Sequence, residues 1–115
     1  MPDRQRPDDW AIDIEQVTAL FADLDRDTRT LLLDAAQRDL AEWTDRLVVA
    51  WDSGDEEGQR RARHSLKGLC GNFGASGLLA LCEADLSEPG VANRLQSARA
   101  ATAAALANLV AELPQ

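Results

Sequence analysis

The chain's only histidine, His64, stands in a positively charged run although the whole protein carries −8. Arg60, Arg61, Arg63 and Lys67 surround it, and no acidic residue falls between positions 60 and 67. A neutral imidazole nitrogen is a good nucleophile near neutral pH, and fixed cations stabilise anionic groups brought to it. Glycines follow at 68, 71, 74 and 77, inside a segment that otherwise reads as helix. Each costs about 1 kcal/mol against alanine at an exposed helical position, so a close succession of them needs a reason. The pattern reads as a basic, notched helical face that a bulky anionic partner approaches closely.

The elements that must position this face are all helical by their spacing. From Ile12 to Leu24 the set Ile14, Val17, Leu20, Phe21 and Leu24 predicts a short amphipathic helix, with Asp13 as its cap. A long segment from about Thr28 to Trp51 repeats Leu32, Ala36, Leu40, Trp43, Leu47 and Trp51 along one stripe, with Asp27 or Thr28 as candidate caps. Ser53-Gly54 closes it, and Asp55, Glu56 and Glu57 open the next helix at the end that favours negative charge. There Ala62, Leu66, Leu69 and Phe73 share the core side. Glu57, Arg60, Arg61, His64, Lys67, Gly68 and Gly71 share the opposite side, so His64 is expected to point away from the core.

Gly74 is expected to break or bend this helix. A further helix then carries Leu78, Leu79, Leu81, Cys82 and Leu86, and Ser87–Gly90 turns into a last one. In that last helix Val91, Leu95, Ala98, Thr102, Ala105, Leu109 and Leu113 are the expected stripe, and Pro114 ends it. Trp10, Trp43 and Trp51 read as core or rim packing. No strand pattern survives beside these periods. The simplest arrangement is an all-α, up-down antiparallel four-helix bundle with an additional short N-terminal helix. Residues 1–10 are expected to form a flexible arm and 11–115 a single domain.

At 115 residues the chain is long enough for one hydrophobic core. Its apolar runs are too short to span a membrane, and MPDRQRPDDW lacks the apolar stretch of a signal peptide, so a cytoplasmic location is expected. The acidic balance speaks against general nucleic-acid binding and against membrane-surface binding. Two cysteines, Cys70 and Cys82, are too few for a disulfide framework and read as buried free thiols. A metal or redox site from His64, Cys70 and Cys82 is disfavoured: Cys70 lies six residues after His64, about 120° around the helix, and no fourth ligand is evident.

His-Ser-Leu-Lys-Gly at 64–68, then five residues and Gly74-Ala75, with Leu78, Leu81 and Cys82 beyond, resembles the signature of histidine-containing phosphotransfer domains. The motif covers about a quarter of the chain, and the helix order on either side fits that family's four-helix bundle. The resemblance implies a free-standing phosphocarrier of a two-component relay, without kinase activity of its own, in which His64 carries a phosphoryl group between receiver-domain aspartates. It implies Lys67 as the cation beside that group, Arg60, Arg61, Gly68 and Gly71 as the surface meeting the partner, and Leu66, Gly74 and Ala75 as structural motif positions. Response-regulator receivers or a hybrid histidine kinase would be the partners, and the magnesium ion would belong to the receiver. No metal or cofactor is expected in this chain, and a monomer is.

One position departs from the family's pattern. A glutamine or glutamate near the end of the following helix orients the histidine ring in many members, and here Asp85-Leu86 puts leucine at that place. Leucine cannot hydrogen-bond an imidazole. The departure keeps open an alternative function, that of a non-phosphorylated adaptor or inhibitor binding a histidine kinase or a receiver.

Overall fold

Three aspartates start three helices by the same device, a carboxylate that accepts the backbone N–H three residues on. Asp13 accepts from Gln16 at 3.1 Å, Asp25 from Thr28 at 2.7 Å and Asp55 from Gly58 at 2.9 Å. The computed structural model of the protein describes residues 7–114. Within them the order is a 3-10 turn at Pro7–Trp10, then α1 (Ile14–Phe21), α2 (Arg26–Asp52), α3 (Glu56–Asn72), α4 (Ser76–Cys82) and α5 (Val91–Glu112). The described residues are helical and contain no strand.

The cap of α2 is Asp25 and not Asp27 or Thr28; Asp27 instead sits in the first turn, where its charge meets the helix dipole. The hydrogen bonds from Thr28 hold the Asp25 carboxyl below its ordinary 3.8. At its far end α2 stops in a glycine motif: Gly54 takes φ +72°, Asp55 N–H bonds back to Ala50 O at 2.8 Å and Gly54 N–H to Trp51 O at 3.2 Å. The left-handed residue satisfies the last carbonyls and turns the chain straight into the Asp55 cap of α3.

The core joins all five helices through Val17 and Phe21 of α1, Leu40 and Leu47 of α2, Leu66 and Cys70 of α3, Leu78 of α4, and Leu95 and Leu106 of α5. The α2 helix packs along α3 and α5, and α4 packs on α3 and α5. Only part of the α1 stripe is buried. Val17 and Phe21, one turn apart, enter the core, Leu24 is half-buried, and Ile14 and Leu20 are exposed, because two turns of helix can present only one narrow edge. In α5 the buried row runs Val91, Leu95, Ala98, Thr102, Leu106, Val110. Beyond Thr102 it advances by fours, so Ala105, Leu109 and Leu113 are half-buried flanks rather than its centre. Trp10, Trp43 and Trp51 are half-buried at the rim.

The expected arm over residues 1–10 lies outside the described residues up to position 6. From Pro7 the chain is structured. Asp9 is buried, and its carboxylate takes both Arg94 nitrogens at 2.6 Å, a bidentate pair that docks the 3-10 turn on α5.

Arg29 is the other cation used structurally, and composition gave no hint of it. Only 5 % exposed, it donates to Phe21 O at 3.0 Å, Ala22 O at 2.8 Å, Leu113 O at 3.3 Å and Pro114 O at 2.8 Å. Those carbonyls are the C-terminal ends of α1 and α5, where peptide dipoles concentrate negative charge. One guanidinium therefore closes two helices. Replacing it by alanine, Arg29→Ala, is expected to lower the unfolding free energy by about 2–3 kcal/mol, since hydrogen bonds to a charged group are lost and carbonyls are left unpaired. Urea unfolding followed by circular dichroism measures it, and a loss below about 0.5 kcal/mol would contradict the assignment.

Candidate functional site

His64 falls in the middle of α3, on the side opposite Ala62, Leu66 and Cys70, which are buried. The helical period alone sets this orientation. His64, Lys67, Gly68, Gly71, Arg60 and Arg61 are all exposed on that side, as the spacing requires. Leu66 and Ala75 are fully buried and Leu69 is half-buried, so the core half of the pattern also stands.

The two notch glycines answer a packing question directly. A methyl group added at Gly68 or Gly71 would meet nothing within 4 Å. Neither glycine is there to let another helix of this chain come close. Their cost in helix stability is spent on a smooth, open strip running one and two turns beyond His64. Gly74 is different. It takes φ +65°, and a side chain there would crowd Val17 at 3.1 Å and the Asp13 carbonyl at 3.3 Å. It ends α3 through a bond from Ala75 N–H to Cys70 O at 2.9 Å, the same kind of stop that closes α2.

The segment before α1 clamps this junction. Asp13 N–H donates to Gly74 O at 2.8 Å, Gly77 N–H donates to Ala11 O at 3.0 Å, and the Gln16 amide reaches Gly71 O at 2.5 Å. With the corner held, α4 runs back along α3 and makes the second wall of a depression of about 260 Å³. His64, Lys67 and Arg63 line it from α3, and Leu79, Cys82 and Glu83 from α4 and its cap.

Charge on this face is unevenly committed. Arg60 and Arg61 both pair with Glu57, one turn back, and Arg61 stands 3.6 Å from it. The two arginines share that one carboxylate, which offsets one of their two charges, and as exposed pairs they add little stability. Lys67 has no carboxylate within ion-pair distance among the described residues. Arg63 is half-buried, gives one nitrogen to Ala84 O at 3.0 Å, and lies over the Trp51 ring at 6.0 Å from its centroid. Arg63 and Glu83 are the members that the spacing argument passed over. The signal for Arg63 was its place one turn before Lys67; for Glu83 it was its place one turn before Leu86, on the wall facing His64.

Leu86 is buried in the core and Asp85 folds onto Ser87, accepting its N–H at 2.9 Å and its hydroxyl at 2.7 Å. These bonds pull the Asp85 carboxyl below its ordinary value. Neither residue serves the imidazole. Among the described residues Glu83 is the only carboxylate lining its depression, and none of them hydrogen-bonds the imidazole ring.

Cys70 and Cys82 are both buried and free. The Cys82 thiol is pushed far up, first by its hydrogen bond with Cys70 and then by burial, which leaves it a poor nucleophile and a poor metal ligand at neutral pH. Among the described residues no three histidine, cysteine, aspartate or glutamate side chains gather as a metal-holding group. No described helix is long and apolar enough to cross a membrane.

Diethylpyrocarbonate should therefore acylate His64 in the native protein without denaturant. A thiol reagent at pH 8 should leave Cys70 and Cys82 untouched until denaturant is added. Histidine acylation only after denaturation, or thiols that titrate in the native state, would contradict the placement of these groups. Comparison of the chain with protein-family models, with curated proteins and with solved structures returns no match in any of the three, so the function is argued from this face alone.

Proposed function

We propose that the protein is a histidine phosphotransfer protein of a two-component phosphorelay, in which His64 accepts a phosphoryl group from one receiver aspartate and delivers it to another. The observation that carries the reading is the open strip at Gly68 and Gly71 beside an exposed, unbonded imidazole. An aspartyl phosphate lies recessed in its own domain, so a histidine can reach it only if nothing around the ring obstructs the approach. In the transfer, the lone pair of one imidazole nitrogen forms the N–P bond while the P–O bond to the aspartate breaks and its electron pair leaves with the carboxylate. Return transfer reverses these steps. The Lys67 ammonium lies on the same face to balance charge on the phosphoryl oxygens, and the receiver supplies the magnesium ion. The protein acts as a carrier, not as a kinase.

Within this reading α2 to α5 form the up-down four-helix bundle and α1 is the added helix. The tight corner at Ser53–Asp55 and the packing of α2 on α3 and α5 support that topology. The adaptor reading keeps one specific observation: Leu86 is in the core, and among the described residues none hydrogen-bonds the ring to hold the imidazole for attack.

Incubation with a phosphorylated, labelled receiver separates the two. The carrier reading expects label on this protein that survives alkali, is lost in acid and is absent from His64→Gln, a change on an exposed side chain that leaves the fold intact. Gly68→Gln is expected to slow transfer by about tenfold or more, a loss of ~1.4 kcal/mol in the docked complex. Binding of receivers without label transfer would favour the adaptor.

A further inference from the structure

Arg63 and Lys67 are one turn apart on α3 and line the same depression as His64. Like charges at that spacing repel, by roughly 0.2–0.5 kcal/mol in an isolated helix, and neither is within ion-pair distance of a carboxylate among the described residues. Glu83 faces them across the depression without pairing with either. The neighbouring cations behave otherwise, Arg60 and Arg61 both being engaged by Glu57.

The Arg63 guanidinium is also held in place, by Ala84 O on one side and the Trp51 ring on another. Its Nε is buried, so the terminal Nη groups are the part of this fixed cation that an incoming group can meet at the depression. Fixed donors next to a site of developing charge need no rearrangement when that charge arrives. Arginine suits the role better than the flexible Lys67, because its planar fork is already oriented.

We propose that Arg63 is the second phosphoryl-binding cation of the site, a terminal Nη–H of its guanidinium donating to an oxygen of the group carried on His64 while Lys67 binds from the exposed side. The proposal rests on His64 being the phosphoacceptor, and it removes Arg60 and Arg61 from direct contact with the phosphoryl group.

The test uses the whole chain with 15N-labelled arginine, compared before and after phosphorylation by a phosphorylated receiver. The Arg63 guanidinium Nη–H resonances are expected to move downfield on phosphorylation, and to do so equally in Glu83→Gln, which removes the only carboxylate that the described residues place on the depression. Arg63→Gln should shift the transfer equilibrium back toward the receiver by at least about tenfold, as loss of a charge-assisted hydrogen bond implies, with Arg63→Lys between the two. A phosphorylated wild-type protein whose Arg63 guanidinium Nη–H resonances do not move overturns the proposal and leaves the carrier reading standing. So does an Arg63→Gln protein with an unchanged equilibrium. A wild-type protein that takes no label overturns both. The resonance measurement needs no variant and decides the matter even if Arg63→Gln fails to fold.

Discussion

The corner between α3 and α4 is the constraint on which the rest of the face depends. Gly74 can adopt the left-handed backbone that ends α3, and the chain leading into α1 then grips the corner through Ala11 and Asp13 before the helix and Gln16 in its first turn. Only because the corner is tight does α4 come back beside His64 and set Leu79, Cys82 and Glu83 against it. The apolar residues of α1 reinforce the grip from below, since Val17 touches the place a Gly74 side chain would fill. Helix α1 is therefore a clasp for the site's geometry as well as a lid on the core.

Charge is distributed by task. Arginines at 29 and 94 hold the frame together, one at two helix C-termini and one in a bidentate pair with Asp9. Those at 60 and 61 share the single carboxylate of Glu57. Against a net charge of −8, the His64 face keeps Lys67, with no ion-pair partner among the described residues, Arg63, which lines the depression, and one uncompensated charge between Arg60 and Arg61. An acidic protein with so local a cationic depression directs anionic groups to that one place and repels polyanions elsewhere.

Much of this was legible in the sequence because helical period is a strong signal. The orientation of His64, the exposure of Gly68 and Gly71, the break at Gly74 and the burial of both thiols follow from residue spacing and company alone. What was not legible depends on residues far apart in the chain. Arg29 reads as an ordinary surface arginine until the ends of α1 and α5 converge on it, and Asp9 reads as part of a loose arm until Arg94 is beside it. The α5 row drifted because a period of 3.6 leaves Ala105 and Leu106 nearly equivalent, and only the packing partner chooses Leu106. Similarly Asp27 and Thr28 are good caps by type, but both fall inside α2, and Asp25, just outside it, is the residue that caps the helix.

The central claim is that the exposed imidazole on this open face becomes covalently phosphorylated, and 31P NMR of the protein with 15N-labelled histidine addresses it most directly. With one histidine in the chain, a one-bond coupling between phosphorus and a ring nitrogen after incubation with a phosphorylated receiver would locate the phosphoryl group on His64 and identify the nitrogen that bears it. The account predicts that coupling. A phosphorus signal with no coupling to histidine nitrogen, or no protein-bound phosphorus after the receiver has demonstrably docked, would contradict it.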